Sequence, residues 1–501
     1  MKRIAGLGIV ENGVSATGSG QSPGTASWVG SARTFIAPLA LAQFICSFAG
    51  SNMNVMINDI SRDLHTDVKG VQTAITLFLL IMAVLMIPCS KLTDRWGRKR
   101  CLIGGLTVYG IGAVLSAVSP GLGVLILGYS VFQGVGTAFL IPPVYILTTM
   151  AFTSLESRAK AFGVISGMGG IGAAAGPLIG GAITTGISWR AAFVFQALVV
   201  ATIILLSRRV VDPVKPDSKR PFDAVGATLS AVGMFFVVFG ILQAGSNNTL
   251  LVISLALGVA FLAGFFFFIR SRERAGKDAL LSTDLFKNRT SNLGLVTQNL
   301  QWLLLMGASF TVSVFLQTER HYSAIKTGVI FTAATIGILV SSLAAERLAK
   351  RRQQKTLIAT GFGTTVAGIG LLLGLVSLAS SSAWAFAPGL LLIGLGVGVM
   401  LTPSVNLVQS AFPEEKQGEI SGLSRSISNL GSSFGTAIVG TILVSDLVSG
   451  NGTYIAAMIV LAALALVGLG VATLLPANPL QGAQGDVEAP PAAAGALDAA
   501  V

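Results

Sequence analysis

Apolar runs of about twenty residues, the length that spans a bilayer as a helix, recur from residue 34 to residue 475 with short polar loops between them. They do not alternate polar with apolar, as the strands of a membrane barrel would. In lipid only a helix or a closed barrel satisfies its own backbone, so the runs predict helices. The pattern places spans near 34–57, 70–90, 101–119, 123–149, 160–184, 191–207, 224–244, 250–269, 293–317, 327–344, 356–378, 385–409, 418–445 and 453–475. The fold class expected is all-α, a polytopic membrane protein of about fourteen transmembrane helices.

Composition agrees: 52% of residues are hydrophobic and 11% charged, against about 25% charged in an average soluble domain. Sixty glycines would weaken soluble helices, whereas between membrane helices small residues permit close approach. The net charge of +12 sits mainly in alternate loops. One set of loops holds Lys91 to Arg100, Arg158 and Lys160, Arg208 to Arg220, Arg270 to Arg289, Arg347 to Lys355, and Lys416, about 24 of the 33 basic residues. By the positive-inside rule that side is the cytoplasm, and an even span count puts both termini there. The basic charge is thus accounted for by orientation, and nucleic-acid binding is not expected. Residues 1–33 are expected to be a cytoplasmic tail without a signal peptide's apolar region. Residues 476–501, rich in Ala, Pro and Gly, are expected to be a disordered cytoplasmic tail.

The chain repeats itself. Asp94 to Arg100 returns as Glu346 to Arg352; Gly172, Gly176 and Gly181 return as Gly431, Gly435 and Gly440; Glu156 and Gly163 return as Glu415 and Gly422. The offsets are about 252 and 259 residues, eight spans each. Two six-helix bundles separated by two extra helices give that offset, and transporters built from repeats bind substrate between them. The expected units are an N-terminal bundle at 34–207, two additional helices with cytoplasmic linkers at 208–292, and a C-terminal bundle at 293–475.

Four segments carry a family resemblance. Ser90-Lys91-Leu92-Thr93-Asp94-Arg95-Trp96-Gly97-Arg98-Lys99-Arg100 resembles motif A of the major facilitator superfamily, with Ser90 for the leading glycine. Gly172 to Gly181, with Pro177 and Gly180, resembles motif C, the antiporter motif of export members. Leu127 to Ala138, with Gln133-Gly134, resembles motif B, with Ser130 in place of an arginine. Phe48 to Leu64 resembles the first-helix motif of the fourteen-span drug:proton antiporters, with Ala49 in place of an aspartate and Asn58 in place of a proline. The resemblance implies a conformational gate at Asp94, Arg95, Gly97 and Arg98. It implies close packing at Gly172, Gly176, Pro177, Gly180 and Gly181, outward transport of amphipathic drugs or metabolites, and proton antiport. Ala49 and Ser130 together remove a charge pair that proton coupling would use, so an uncoupled or uptake facilitator stands as the alternative.

No acid falls near the middle of a span, which leaves Asp59 and Asp223 as candidates for proton coupling. Arg425 is the one charge inside a span; it either meets an anionic group, pairs with an acid such as Glu419, or snorkels to the interface. Polar and aromatic candidates for a substrate cavity are Asn52, Asn54, Tyr129, Gln133, Tyr145, Gln298, Gln301, Trp302 and Asn406, each of which helix–helix hydrogen bonding also explains. Cys46, Cys89 and Cys101 match no metal spacing. Gly167 to Gly172 fits G-x-G-x-x-G, but no strand precedes it. Catalytic residues, metals and cofactors are not expected. The expected partners are a small organic substrate, protons and the bilayer of the cell membrane, and the chain is expected to act as a monomer.

Overall fold

In the computed structural model every regular element among the described residues is helical. The described residues are 24–152, 155–208, 222–243, 247–349, 352–377, 383–412, 416–444 and 452–476, with Val210, Asp212 and Pro216. Most of the two tails expected at 1–33 and 476–501 lies outside them, as do the side chains of Asp94, Glu156 and Glu415.

The long helices are α1 (Gly24–Asn52), α2 (Val68–Trp96), α3 (Arg98–Ala117), α4 (Gly134–Ala151), α5 (Leu155–Gly186), α6 (Trp189–Ser207), α7 (Ala224–Gln243), α8 (Asn248–Arg274), α9 (Arg289–Val314), α10 (Ala324–Ala349), α11 (Gln354–Ser377), α12 (Ala387–Gln409), α13 (Gln417–Val444) and α14 (Gly452–Thr473). Twelve helical segments among the described residues are long and apolar enough to cross a membrane. The other two, α5 and α13, are 32 and 28 residues long but are built largely of Gly, Ala and Ser. They carry surfaces that other helices approach closely.

A Cβ on Gly172, Gly176 or Gly180 of α5 would run into Phe44, Ser51 or Asn52 of α1. On α13, a Cβ on Gly431 or Gly435 would strike the carbonyls of Asn299 or Leu303 on α9. Backbones this close leave no room for a side chain, and dispersion between them replaces the hydrophobic effect as the adhesive force in lipid.

Helices α7 and α8 lie at the edge. Only 11% of the most apolar stretch of α8 is buried, against 83% for α9. Helix α7 rests on α2 and α13, where Thr441 donates to the Ile241 carbonyl at 3.3 Å, and α8 packs on α7 through Gly258 against Val237.

The end of α1 and the short helix after it meet the end of α9. At the end carrying His65 and His321, away from the basic loops, the Asn58 backbone N–H donates to Gln317 Oε1 at 3.2 Å. The Asn58 amide donates to the Gln317 carbonyl at 2.5 Å. Ser313 Oγ donates to the Asn54 carbonyl at 2.5 Å, and Gln317 Nε2 donates to the same carbonyl at 2.7 Å. Both residue pairs are 259 apart, the offset of the repeat. Flanking contacts join the same halves of the chain: Gly181 abuts Ala324 and Gly440 abuts Gln72.

Candidate functional site

The basic end is tied by charge. Lys91 of α2 meets Glu419 of α13 at 2.6 Å, and the other oxygen of Glu419 accepts from the Ser282 backbone N–H at 3.1 Å. Glu419 is therefore committed to Lys91 and the α8–α9 linker, and the expected alternative of an Arg425–Glu419 pair does not form. Asp284 accepts from Lys287 and Lys416 at 2.8 and 2.9 Å; those cations hold its carboxyl below the usual range.

The motif A segment turns sharply between α2 and α3. Gly97 has φ +96°, and a Cβ there would also lie 2.9 Å from Pro216. Arg95 lies in the last turn of α2, and Arg98 opens α3 with its side chain buried. A residue the sequence did not single out completes the turn. Asp212 accepts from the backbone N–H groups of Arg98 and Lys99 at 2.7 and 3.3 Å. A carboxylate on the first amides of a helix satisfies orphan donors and the helix dipole together. Asp212→Ala is expected to lower stability by about 0.5–2 kcal/mol, read as a lower Tm in detergent, with Asp212→Asn falling between.

Of the proton-coupling candidates, Asp223 is buried and caps α7. It accepts from the Gly226 backbone N–H at 2.9 Å and the Leu280 backbone N–H at 3.1 Å, with Arg272 at 3.9 Å. Those bonds give it a structural task in the linker. Asp59 stands elsewhere, in a short helix, Ile57–Asp63, beyond the end of the first span. It lines a cleft of about 380 Å³ between the repeats with Arg62, Thr185, Gln317 and His321. Burial pushes its carboxyl above the usual range, and Arg62 opposes that.

The cavity candidates divide into three groups. Tyr129 and Gln298 are engaged in helix packing. Tyr129 is wholly buried, donates to the Ala49 carbonyl at 3.1 Å and stacks on Phe78; Gln298 accepts from Ser424 at 2.9 Å. The two uncharged departures from the family pattern are likewise satisfied, because Ala49 supplies that carbonyl and Ser130 donates to the Ala74 carbonyl at 2.7 Å. Gln133 ends a π-helical stretch, Ile126–Gln133, that leads into α4; Gly134 follows it, packed against Ile81.

A second group buries polar atoms without a protein partner. Both amide atoms of Asn52, Gln133 and Gln301 are unpaired, as is Asn54 Oδ1. A buried unsatisfied polar group costs roughly 1–3 kcal/mol, so these amides are groups that a polar solute or water relieves. Trp302 is half-buried on the same helix as Gln301, and Asn406 of α12 is exposed.

The third group is brought together only by the fold. Arg425 of α13 hydrogen-bonds the Tyr145 hydroxyl of α4 and lies over its ring, 4.7 Å from the centroid. That hydroxyl donates in turn to Gln43 Oε1 of α1 at 3.4 Å. The sequence offered Arg425 and Tyr145 separately; no local signal joins residues 280 positions apart, and Gln43 was not a candidate.

Among the described residues no group of three or more His, Cys, Asp or Glu is placed to hold a metal. The family model of the Major Facilitator Superfamily matches residues 39–436, with a further match over 294–497. The chain is 28% identical to a puromycin resistance protein of Streptomyces alboniger over 84% of this chain and 83% of the relative. It is 26% identical to a multidrug efflux pump of Mycolicibacterium smegmatis over 83% and 81%. It is 24% identical to a riboflavin transporter of Clostridioides difficile over 82% and 88%.

Proposed function

The chain belongs to the major facilitator superfamily, whose members move small organic solutes across membranes, and on that premise we propose that it is a secondary active exporter of amphipathic organic compounds. The observation that carries the mechanism is the meeting of Asn54 with Ser313 and of Asn58 with Gln317, each pair 259 residues apart, at the end away from the basic loops. Two copies that touch at an axis can rock about it, closing one end while opening the other. Alternating access by fourteen spans in a 6+2+6 order follows, with α5 and α13 as spans despite their small residues. The basic end faces the cytoplasm with both termini, in the cell membrane, and the working unit is the monomer. The motif A segment at the basic end and the motif C glycines of α5 serve as gate and packing surface. The names of the puromycin and multidrug relatives support export of organic compounds.

The test is flux by the purified chain in proteoliposomes, with and without a pH gradient, across cationic, neutral and anionic dyes. Gradient-driven extrusion is expected; no flux across the panel sinks the reading.

Proton antiport is assigned to Asp59. Its carboxyl is raised by burial in the closed cleft, so the closed end is favoured below the ordinary carboxylate pKa of ~3.9. That preference is lost as pH rises through the raised value, when the ionised carboxylate seeks water. Protons therefore close this end and their release opens it. Asp59→Asn is expected to leave downhill flux within about twofold and to abolish acceleration by a pH gradient; retained acceleration rules Asp59 out. A second reading, an uncoupled or uptake facilitator, is favoured by the neutral bonds of Ser130 and Ala49. Gradient-independent flux in the wild type would establish it.

A further inference from the structure

Arg425 is a full positive charge set two turns into a membrane helix. It is eight residues from the start of α13, about 12 Å at 1.5 Å per residue. Tyr145 lies six residues from the end of α4, and Gln43 eight residues from the start of the first span at Phe35. The three side chains thus converge from α13, α4 and α1 at a similar depth below the basic end. Every partner of Arg425 is neutral: the Tyr145 hydroxyl and the face of its ring. Glu419, six residues away on α13, is held by Lys91 and Ser282.

A guanidinium presents five donors in a planar fork that fits a carboxylate or phosphate bidentately. Inside a membrane a cation without a counter-charge is costly and marks a functional position. A ring beneath a guanidinium offers a weaker attraction than an anion does. Tyr145 and its relay to Gln43 hold the fork in place between the two repeats, and the ring gives an apolar wall beside it.

We propose that Arg425, positioned by Tyr145 and Gln43, is the receptor for an anionic group on the transported solute. The substrate class is then an amphipathic organic acid, with its aromatic or aliphatic body against the Tyr145 ring and its carboxylate or other anion on the fork. This rests on the transport reading above but makes a separate demand, since an exporter of cations or neutral drugs has no use for the charge.

The experiment compares three probes of matched shape on the full chain: pyrenebutyrate, its neutral amide and the corresponding trimethylammonium. Binding is read in detergent by pyrene fluorescence, and flux in proteoliposomes. Wild type is expected to bind the anion at least tenfold more tightly than the ammonium. Arg425→Gln is expected to weaken the anion at least tenfold while shifting the neutral amide less than twofold. Arg425→Lys is expected to recover part of the loss, and Tyr145→Phe to weaken the anion by a smaller factor. An anion bound through Arg425 but never moved upholds this inference and removes the transport reading. Flux of all three probes with no charge-selective change in Arg425→Gln does the reverse. An equal loss for all three probes in Arg425→Gln makes Arg425 a structural tie between the repeats and overturns the proposal.

Discussion

Gly172→Val is expected to abolish transport and to remove most of the folded protein from the membrane, while Gly170→Val on the same helix leaves both near wild type. A Cβ on Gly172 would lie 3.1 Å from Phe44 Cα and nearer still to the Phe44 carbonyl oxygen, whereas a Cβ on Gly170 meets nothing within 4 Å. The obstacle is backbone, which cannot turn aside as a side chain can. Overpacking costs about 1–3 kcal/mol where neighbours relax, and here relaxation means separating α5 from α1 along their contact. A glycine of α13 supplies an independent form of the experiment. Gly435 sits against the Leu303 carbonyl, with Gly307 N 3.0 Å from a Cβ, so Gly435→Val is expected to be as damaging. Fluorescence-detected size exclusion measures folded yield, and flux per folded molecule measures function. Equal tolerance of valine at 170 and 172 would mean that the helices do not approach as described.

The second large effect is conformational. Gln317→Ala removes the acceptor of the Asn58 N–H and the donor to the Asn54 carbonyl. The bond from the Asn58 amide to the backbone at 317 remains. Two lost bonds at about 0.5–1.5 kcal/mol each shift a two-state equilibrium by roughly 5- to 150-fold toward the form open at this end. Spin labels on Ile187→Cys and Lys326→Cys, both at exposed positions flanking the cleft, report the change by double electron–electron resonance. A longer, broader distance in Gln317→Ala is expected. An unchanged distribution would show that the seal rests on other contacts, such as the Ile325 N–H on Thr185 Oγ1 at 3.1 Å.

Much of the architecture could be read locally. An apolar run of bilayer length has one way to satisfy its backbone, so the helices from α1 to α14 fall on the predicted runs. Glycine spacing in 172–181 and 431–440 marked the surfaces that pack backbone to backbone. Residue identity alone ranked the polar candidates poorly. Tyr129 and Gln133 share the stretch before α4, yet one is fully bonded and the other buries a whole amide without a partner. Asp212 escaped notice because a cap from a loop more than a hundred residues away has no local pattern.

The sequence by itself determined the all-helical class and the membrane setting. These depend on apolar length, charge placement and residue spacing, which are properties of neighbouring residues along the chain. Only the tertiary structure decided which polar groups work together: Arg425 with Tyr145 and Gln43, Asn58 with Gln317, Asp212 with the start of α3. Those pairings depend on rotation and depth of helices packed from distant parts of the chain. A shift of one residue turns a helical side chain by about 100°, enough to exchange a partner for lipid, so spacing along the sequence does not set them.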